Sequence, residues 1–136
     1  MSVLIDTGVI VAAFNRRDRH HYWAKRQVKQ VLEGQWGPPY ITDYIVDEVL
    51  SYAAARLGRE PGLKLGKLLL EHRLFHIIPV TLDTVLDAWT LYQRHAPSLS
   101  FTDATSLVIA KTYDIDYIIT LDEPLARLHP SIIPTQ

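Results

Sequence analysis

Two aspartates of this sequence directly follow short apolar runs that have the composition of β-strands. Asp6 comes after Val3–Ile5, and Asp122 lies just past Tyr117–Thr120. Both runs are rich in β-branched or aromatic residues, which strands favour. An ionised carboxylate beside buried segments is costly unless it has partners. Asp6 and Asp122 therefore predict a nearby cation, a set of hydrogen-bond donors or a shifted pKa.

Two further acids occupy predicted helices. Asp103 falls in the first turn of an apolar helical segment, and Glu48 lies at the edge of a helix face that is otherwise apolar. All four acids also have structural interpretations as helix caps, turn formers or parts of a solvated face. Asp103, for example, stands three residues after Ser100, which is a capping-box spacing. Asp47, next to Glu48, makes the choice of acid on that helix less certain than the others.

Carboxylates that share one pocket repel each other and raise one another's pKa unless a cation lies among them. The sequence has no cysteine, so thiolate-bound zinc is excluded and oxygen ligands favour the hard ions Mg²⁺ or Mn²⁺. Such a cluster suits attack of water on a phosphodiester. One ion can lower the pKa of the water, and a second, about 4 Å away, can stabilise the leaving oxygen. The candidate ligands are Asp6, Glu48, Asp103 and Asp122.

The elements that must position these acids alternate between strand-like and helical segments. The strand-like runs are Val3–Ile5, Tyr40–Ile41, His76–Val80, Tyr117–Thr120 and, more weakly, Ile132–Ile133. The helical segments are roughly Gly8–Phe14, His21–Glu33, Asp43–Leu57, Pro61–Arg73, Leu82–Arg94 and Phe101–Tyr113, with a short turn at Pro124–Leu128. This alternation predicts an α/β fold with a mostly parallel central sheet of four to five strands, flanked by helices. In such sheets, sites form outside the carboxyl ends of the strands.

Length and composition bound the class of protein. A chain of 136 residues predicts a single domain, residues 1–136, with one core. The N-terminus lacks the pattern of a secretory signal peptide, and no apolar run is long enough to span a bilayer, so we expect a cytoplasmic protein. The formal net charge is −1, so any binding of nucleic acid must come from a local basic patch.

At its acidic positions the chain resembles the PIN-domain family, in particular the short, single-domain VapC-type toxins. The matching features are Asp6-Thr7, Glu48, Thr102-Asp103 and Thr120-x-Asp122, and the resemblance covers essentially the whole chain. It implies a PIN-like three-layer sandwich and a metal-dependent ribonuclease with Asp6, Glu48, Asp103 and Asp122 as its acidic quartet. It also implies that Thr7, Thr102 and Thr120 orient the carboxylates or metal-bound water.

One position departs from the family pattern, and alternatives remain open. Leu125 stands where similar proteins often have an aromatic residue, and we expect it to soften packing near Asp122 without abolishing the site. A PIN-type nuclease of RNA processing outside toxin systems and a non-catalytic PIN-like RNA-binding or interaction module are the alternatives. A phosphoryl-transfer domain of the haloacid-dehalogenase type is disfavoured, because Gly8 replaces its second aspartate. A receiver domain is disfavoured because its paired acids and lysine are missing.

A basic stretch follows the first predicted helix and suits contact with the phosphates of RNA. A helix rises 1.5 Å per residue, so we expect the loop to lie roughly 10–15 Å from Asp6, close enough for phosphates that flank the cleaved one. The other interpretation is a solvated face. His20 and His21 fit no metal-ligand spacing and are more typical of an exposed pair. The basic residues are Arg16, Arg17, Arg19, Lys25, Arg26 and Lys29, and the first three are the candidate RNA contacts.

Two consecutive apolar helical segments around a glycine-containing break predict a protein–protein surface. A small domain cannot easily bury all of their leucines, although a purely structural role in the core is the alternative. We expect a homodimer and a groove for the amphipathic tail of a cognate antitoxin near the acidic site. An arginine of that tail could take the place of the metal among the acids. The leucines are Leu63, Leu65, Leu68, Leu69, Leu70 and Leu74.

Overall fold

A five-stranded sheet lies at the centre of the structure, a computed structural model that describes residues 1–135. The strand order is β3–β2–β1–β4–β5, and every neighbouring pair is parallel. The predicted α/β fold is confirmed, with a sheet that is entirely rather than mostly parallel. The strands are β1 (Val3–Ile5), β2 (Pro39–Thr42), β3 (His76–Ile78), β4 (Tyr117–Ile119) and β5 (Ser131–Ile132).

Seven α-helices connect the strands within residues 1–135. Most begin or end within two residues of the predicted bounds, because capping residues such as Thr42, Thr81 and Ser100 mark their starts. The helices are α1 (Thr7–Phe14), α2 (His21–Leu32), α3 (Asp43–Arg56), α4 (Arg59–Gly66), α5 (Leu82–His95), α6 (Phe101–Thr112) and α7 (Glu123–Ala126).

The predicted continuous helix over Pro61–Arg73 is wrong. Helix α4 ends at Gly66, and a π-helical turn over Lys67–Glu71 follows it. Gly66 is a weak helix former, so local preference does not favour a regular helix at this point. Tertiary packing then decides the backbone of the turn that follows. The wider turn still buries both Leu65 and Leu69 in the core.

From β1 the chain adds β2 and β3 on one side of the sheet and then β4 and β5 on the other side. Strands β1 and β4 are therefore neighbours at the centre of the sheet. Connections between parallel strands are right-handed, so α1 to α4 cover one face and α5 to α7 the other. The packing agrees, because α1 contacts α2 and α3 while α5 contacts α6. A three-layer arrangement results, with its switch point at the carboxyl ends of β1 and β4.

The core is formed where the strands meet both helix layers. Val3, Leu4, Ile5, Ile118 and Ile119 are fully buried, as expected for central strands of a parallel sheet covered on both faces. Leu125, the residue that departs from the family pattern, is also fully buried. None of the helices within residues 1–135 is long and apolar enough to cross a membrane.

Candidate active site

Asp6 and Thr120 leave the sheet side by side at the switch point. Ile5 of β1 is paired with Ile119 of β4, and the Asp6 N–H donates to the Ile119 carbonyl at 3.0 Å. The register of two parallel strands therefore brings together residues that are 114 positions apart in the chain.

The carboxylate of Asp6 is held by two donors. Its Oδ1 accepts from the Thr7 N–H at 2.9 Å, and its Oδ2 accepts from the Thr120 hydroxyl at 2.7 Å. The oxygen of that hydroxyl in turn accepts from the Asp122 N–H at 2.9 Å. Thr120 therefore fixes Asp6 and the backbone of Asp122 relative to each other. Asp6 is also the N-cap residue of α1, so its structural and chemical interpretations coexist.

Glu48 rather than Asp47 faces this edge of the sheet. The Thr7 hydroxyl donates to Glu48 Oε1 at 2.5 Å, and Glu48 is partly buried. Asp47 is exposed and accepts only a long hydrogen bond from the Ser51 hydroxyl at 3.4 Å. Side chains at neighbouring helical positions point about 100° apart, and only one of the two can reach Thr7.

Asp103 lies in the first turn of α6, whose cap is Ser100. The Ser100 hydroxyl accepts from the Asp103 N–H at 3.0 Å. Burial first, then the charge of Asp6 and the close carboxyl of Asp122, together raise the pKa of Asp103 to about 8. The hydroxyl of Ser100 also interacts with the Asp103 carboxyl and opposes this rise, but less strongly than burial favours it.

The pKa of Asp6 is also raised, but less than that of Asp103. The pKa of Asp6 is raised to about 6, mainly by burial and in smaller part by the charges of Glu48 and Asp122, against the opposing hydrogen bonds from Thr120 and Thr7. Asp6 therefore interacts electrostatically with Glu48, Asp122 and Asp103, which brings the four predicted acids to one site.

The remaining predicted site residues differ in their placement. Asp122 precedes α7 but makes no capping hydrogen bond, so its carboxylate remains available for other ligands. Thr102 does not bind a carboxylate as Thr7 and Thr120 do. Within residues 1–135 its hydroxyl forms no hydrogen bond, and its carbonyl accepts from the Thr105 hydroxyl at 2.6 Å.

The donor set fits a hard divalent cation by its chemistry. The four acids offer only carboxylate oxygens, and a cation among them would offset the burial and the charge repulsion that raise the pKa of Asp6 and Asp103. In the described part of the chain, no three His, Asp or Glu side chains are already arranged to hold one ion. For Asp103 to bind a cation, its carboxyl would have to lose its proton.

A pocket of about 380 Å³ lies at the loop after β4, although none of the four acids lines it. Leu121 and Glu123, the two neighbours of Asp122, both line it. We call it the Arg19–Glu123 pocket, and sequence reasoning missed it, because its walls come from three distant segments. Its other lining residues are Arg19, His20, Ile133, Pro134 and Thr135.

The candidate RNA-contacting arginines fall into two groups. Arg19 lines this pocket, although a straight α1 of about 12 Å places the loop after it away from Asp6. Arg16 and Arg17 are exposed, and within residues 1–135 neither forms an ion pair. His21 is buried and bonds the Ala12 carbonyl through Nδ1 at 2.8 Å, so the expectation of an exposed histidine pair is wrong for it.

Comparison with known protein families identifies the family of this chain. The family model for the PIN domain matches residues 3–129, which is nearly the whole chain. The chain belongs to the PIN domain family. Among curated PIN proteins, a VapC ribonuclease of Archaeoglobus fulgidus is 28% identical over 120 residues, covering 87% of this chain and 76% of that protein.

Solved structures of PIN proteins share the fold. VapC20 of Mycobacterium tuberculosis, described as a sarcin–ricin loop cleaving toxin, has a TM-score of 0.84 at 21% identity, covering 97% of this chain and 99% of that one. A toxin–antitoxin complex from Klebsiella pneumoniae has a TM-score of 0.68 at 24% identity, with 98% of each chain covered. VapBC2 from Rickettsia felis, bound to a promoter DNA fragment, has a TM-score of 0.69 at 12% identity, with 99% and 100% covered.

Proposed function

We propose that this PIN protein is a divalent-metal-dependent endoribonuclease and the toxin of a toxin–antitoxin pair. The observation that carries the proposal is the gathering of four acids at the switch point, where burial and mutual repulsion raise the pKa of two of them. The similarity to a VapC ribonuclease supports RNA as the substrate. The acids are Asp6, Glu48, Asp103 and Asp122.

The residues of the chain prepare the site in a defined way. Thr120 and the Thr7 N–H fix the orientation of Asp6, and the Thr7 hydroxyl fixes Glu48. Mg²⁺ or Mn²⁺ held by the four acids would stabilise charge on the phosphate oxygens and make water a stronger nucleophile. In the absence of a cation, Asp103 holds a proton near neutral pH, since its pKa is about 8.

The test is cleavage of RNA by purified protein with Mg²⁺ or Mn²⁺ and with excess chelator. Asp6→Asn, Asp103→Asn and Asp122→Asn should each greatly reduce cleavage with the fold intact, because each removes a ligand charge from a shared site. On α3, Glu48→Gln should lose activity, whereas its matched control, Asp47→Asn, should retain it. Cleavage that survives Asp6→Asn or excess chelator would contradict the proposal, and RNA binding without any cleavage would favour a non-catalytic module.

The partner proposal rests on a groove of about 740 Å³ between α3 and α4. Leu63 and Leu70 remain nearly half exposed there, whereas Leu65 and Leu69 are buried, so only some of the predicted leucines are open to a partner. Leu50, which lines the groove, follows Glu48 by two positions on α3, so the groove and the acids lie on different faces of that helix. An amphipathic antitoxin segment would fill the groove, and an arginine of the tail beyond it would find complementary charge at the acids.

A second copy of the chain would use a different surface. Leu82, Leu86 and Trp89 follow one another at helical spacing on α5, and each is more than half exposed. We assign the homodimer contact to this stripe, because the apolar groove between α3 and α4 suits the antitoxin. A short reading frame next to that of the toxin should supply the antitoxin. Expression of the toxin alone should arrest growth of a bacterial host, and co-expression of that frame should restore growth.

A further inference from the structure

The Arg19–Glu123 pocket contains a guanidinium and a carboxylate that do not pair with each other. Within residues 1–135, Arg19 forms no ion pair, and Glu123 pairs only with Arg127, at 3.6 Å. Both members of that pair are well exposed, so it holds Glu123 only weakly. Opposite charges that line one pocket and remain apart leave space between them for a ligand with donors on one edge and acceptors on another.

The guanidinium of Arg19 is oriented within the pocket wall. Its Nε donates to His20 Nε2 at 3.1 Å, and the His20 N–H is itself fixed by Asp18 Oδ1 at 2.8 Å. Arg19 is exposed, and within residues 1–135 its two terminal amino groups, Nη1 and Nη2, form no hydrogen bond or ion pair. They form the planar fork with which arginine makes bidentate hydrogen bonds.

The other walls of the pocket suit a flat aromatic ligand. Leu121, Ile133 and Pro134 supply apolar surface. A volume of about 380 Å³ is at the lower end of the range for small-ligand pockets, about 300–1,000 Å³. In single-stranded RNA, proteins recognise unstacked bases by packing against the ring and by hydrogen bonding to its edges.

We infer that this pocket receives a guanine base of the RNA substrate, an inference that rests on the proposed ribonuclease function. Guanine offers two acceptors, O6 and N7, to the fork of Arg19, which is the commonest specific contact to that base. Its N1–H and 2-amino group are donors that the Glu123 carboxylate can accept. Adenine keeps the N7 acceptor but places its 6-amino donor opposite Arg19 and an unprotonated N1 opposite Glu123, so it loses one of the Arg19 bonds and both Glu123 bonds.

The pocket lies close to the acids along the chain. Leu121 and Glu123 line it and flank Asp122, one of the four acids of the site. We therefore expect the bound base to belong to a nucleotide near the cleaved phosphodiester, and not to contact the acids itself. The loops after α1, β4 and β5 form the walls of the pocket, so they would determine which base the protein prefers.

The experiment measures binding separately from cleavage. Protein carrying Asp6→Asn, which blocks the reaction, is titrated with fluorescent hexaadenosine RNA and with the same RNA containing one internal guanosine. We expect the guanosine RNA to bind about tenfold more tightly or better. Inosine, which lacks the 2-amino group, and 7-deazaguanosine, which lacks N7, should each lose part of this preference. The protein without Asp6→Asn should cut at one fixed distance from the guanosine.

Substitutions assign each edge of the base to its partner. Arg19→Gln should remove the penalty for 7-deazaguanosine, and Glu123→Gln should remove the penalty for inosine. The matched control is Arg127→Gln, which breaks the ion pair with Glu123 but leaves the pocket walls unchanged, and it should keep the full guanosine preference.

Two outcomes would overturn the guanine pocket. One is equal affinity for the two RNAs before any pocket substitution. The other is an Arg19→Gln variant that weakens both RNAs by the same factor, because Arg19 would then contact only phosphate. Failure of the protein to bind either RNA would instead contradict the proposed ribonuclease function, and this inference with it.

Discussion

At the scale of single residues, burial and neighbouring negative charges both disfavour the ionised form of the site carboxylates. Asp6 and Asp103 are each less than a tenth exposed, and their pKa values are raised to about 6 and about 8. Hydrogen bonds from Thr120, Thr7 and Ser100 oppose the rise but do not cancel it. The metal-free protein is therefore less stable than the same fold without these charges.

Asp103→Asn should stabilise the metal-free protein at pH 8. The folded pKa of Asp103 lies above its ordinary value of 3.8, so its contribution to stability is fully present below about pH 4 and is lost as the pH rises to about 8. Removing the charge should raise the free energy of unfolding at pH 8 by about 1–3 kcal/mol and Tm by about 4–10 °C. Thermal melts with chelator from pH 4 to pH 9 measure this, with Asp47→Asn as the control. Parallel pH profiles for wild type and Asp103→Asn would contradict it.

Thr120→Val should weaken the site while preserving its shape. The hydroxyl donates to Asp6 Oδ2 and accepts from the Asp122 N–H, and valine is nearly isosteric but does neither. Because the hydroxyl lowers the pKa of Asp6, its loss should raise that pKa further. We expect metal affinity or activity to fall by about 10–100-fold. Calorimetric titration with Mn²⁺ and RNA cleavage check this, and a Thr120→Ser variant that fails to restore function would show that the hydroxyl is not responsible.

At the scale of elements, the loop between α1 and α2 carries three exposed arginines. Arg19 lines a pocket, whereas Arg16 and Arg17 do not. With a net charge of −1, the chain can attract RNA only through local patches of this kind. We therefore predict that Arg16 and Arg17 affect the affinity for RNA rather than the rate of cleavage.

Arg16→Glu combined with Arg17→Glu should weaken RNA binding and flatten its dependence on salt, because fewer counterions are released. Turnover at saturating RNA should change much less, since uniform binding energy affects KM more than kcat. A salt titration of affinity and saturation kinetics measure both effects. The control with the same change in charge is Arg73→Glu with Lys111→Glu, because both residues precede strands and so lie towards the opposite edge of the sheet. An unchanged salt slope would show that Arg16 and Arg17 form only a solvated face.

At the scale of the whole molecule, two apolar surfaces are exposed on opposite helix layers. One is the groove between α3 and α4 with Leu63 and Leu70, and the other is the α5 stripe of Leu82, Leu86 and Trp89. Two separate surfaces permit a homodimer and an antitoxin to bind at the same time. The groove is lined by α3, the helix that carries Glu48, so we expect binding there, rather than dimerisation, to affect the reaction.

The two surfaces can be separated by matched charge insertions. Leu86→Glu on α5 should convert a dimer to a monomer in sedimentation and leave binding of an antitoxin peptide unchanged. Leu63→Glu in the groove should leave the dimer intact and weaken peptide binding by about tenfold or more, because a charge placed in an apolar contact is costly. Both side chains are already nearly half exposed or more, so both variants should fold. A wild-type monomer at high concentration would contradict the dimer, and an exchange of the two phenotypes would contradict the assignment of surfaces.

The sequence by itself determined the fold class and the edge at which the acids gather. Strand and helix patterns are local and depend on spacing along the chain, and caps such as Thr42 and Ser100 mark helix starts within a few residues. Because parallel strands end at one edge, acids that follow two neighbouring strands, such as Asp6 and Asp122, must approach each other. Their catalytic role, and that of the arginines in binding RNA, stays a prediction.

Only the tertiary structure decided which side chains meet. It selected Glu48 over Asp47 through the hydroxyl of Thr7, ended α4 at Gly66, and divided the leucines into buried and exposed sets. It also placed Arg19 and Glu123, which are about a hundred residues apart in the chain, in the walls of one pocket. Contacts of this kind depend on helix rotation and loop paths, which are set by packing between layers and leave no periodic pattern in the sequence.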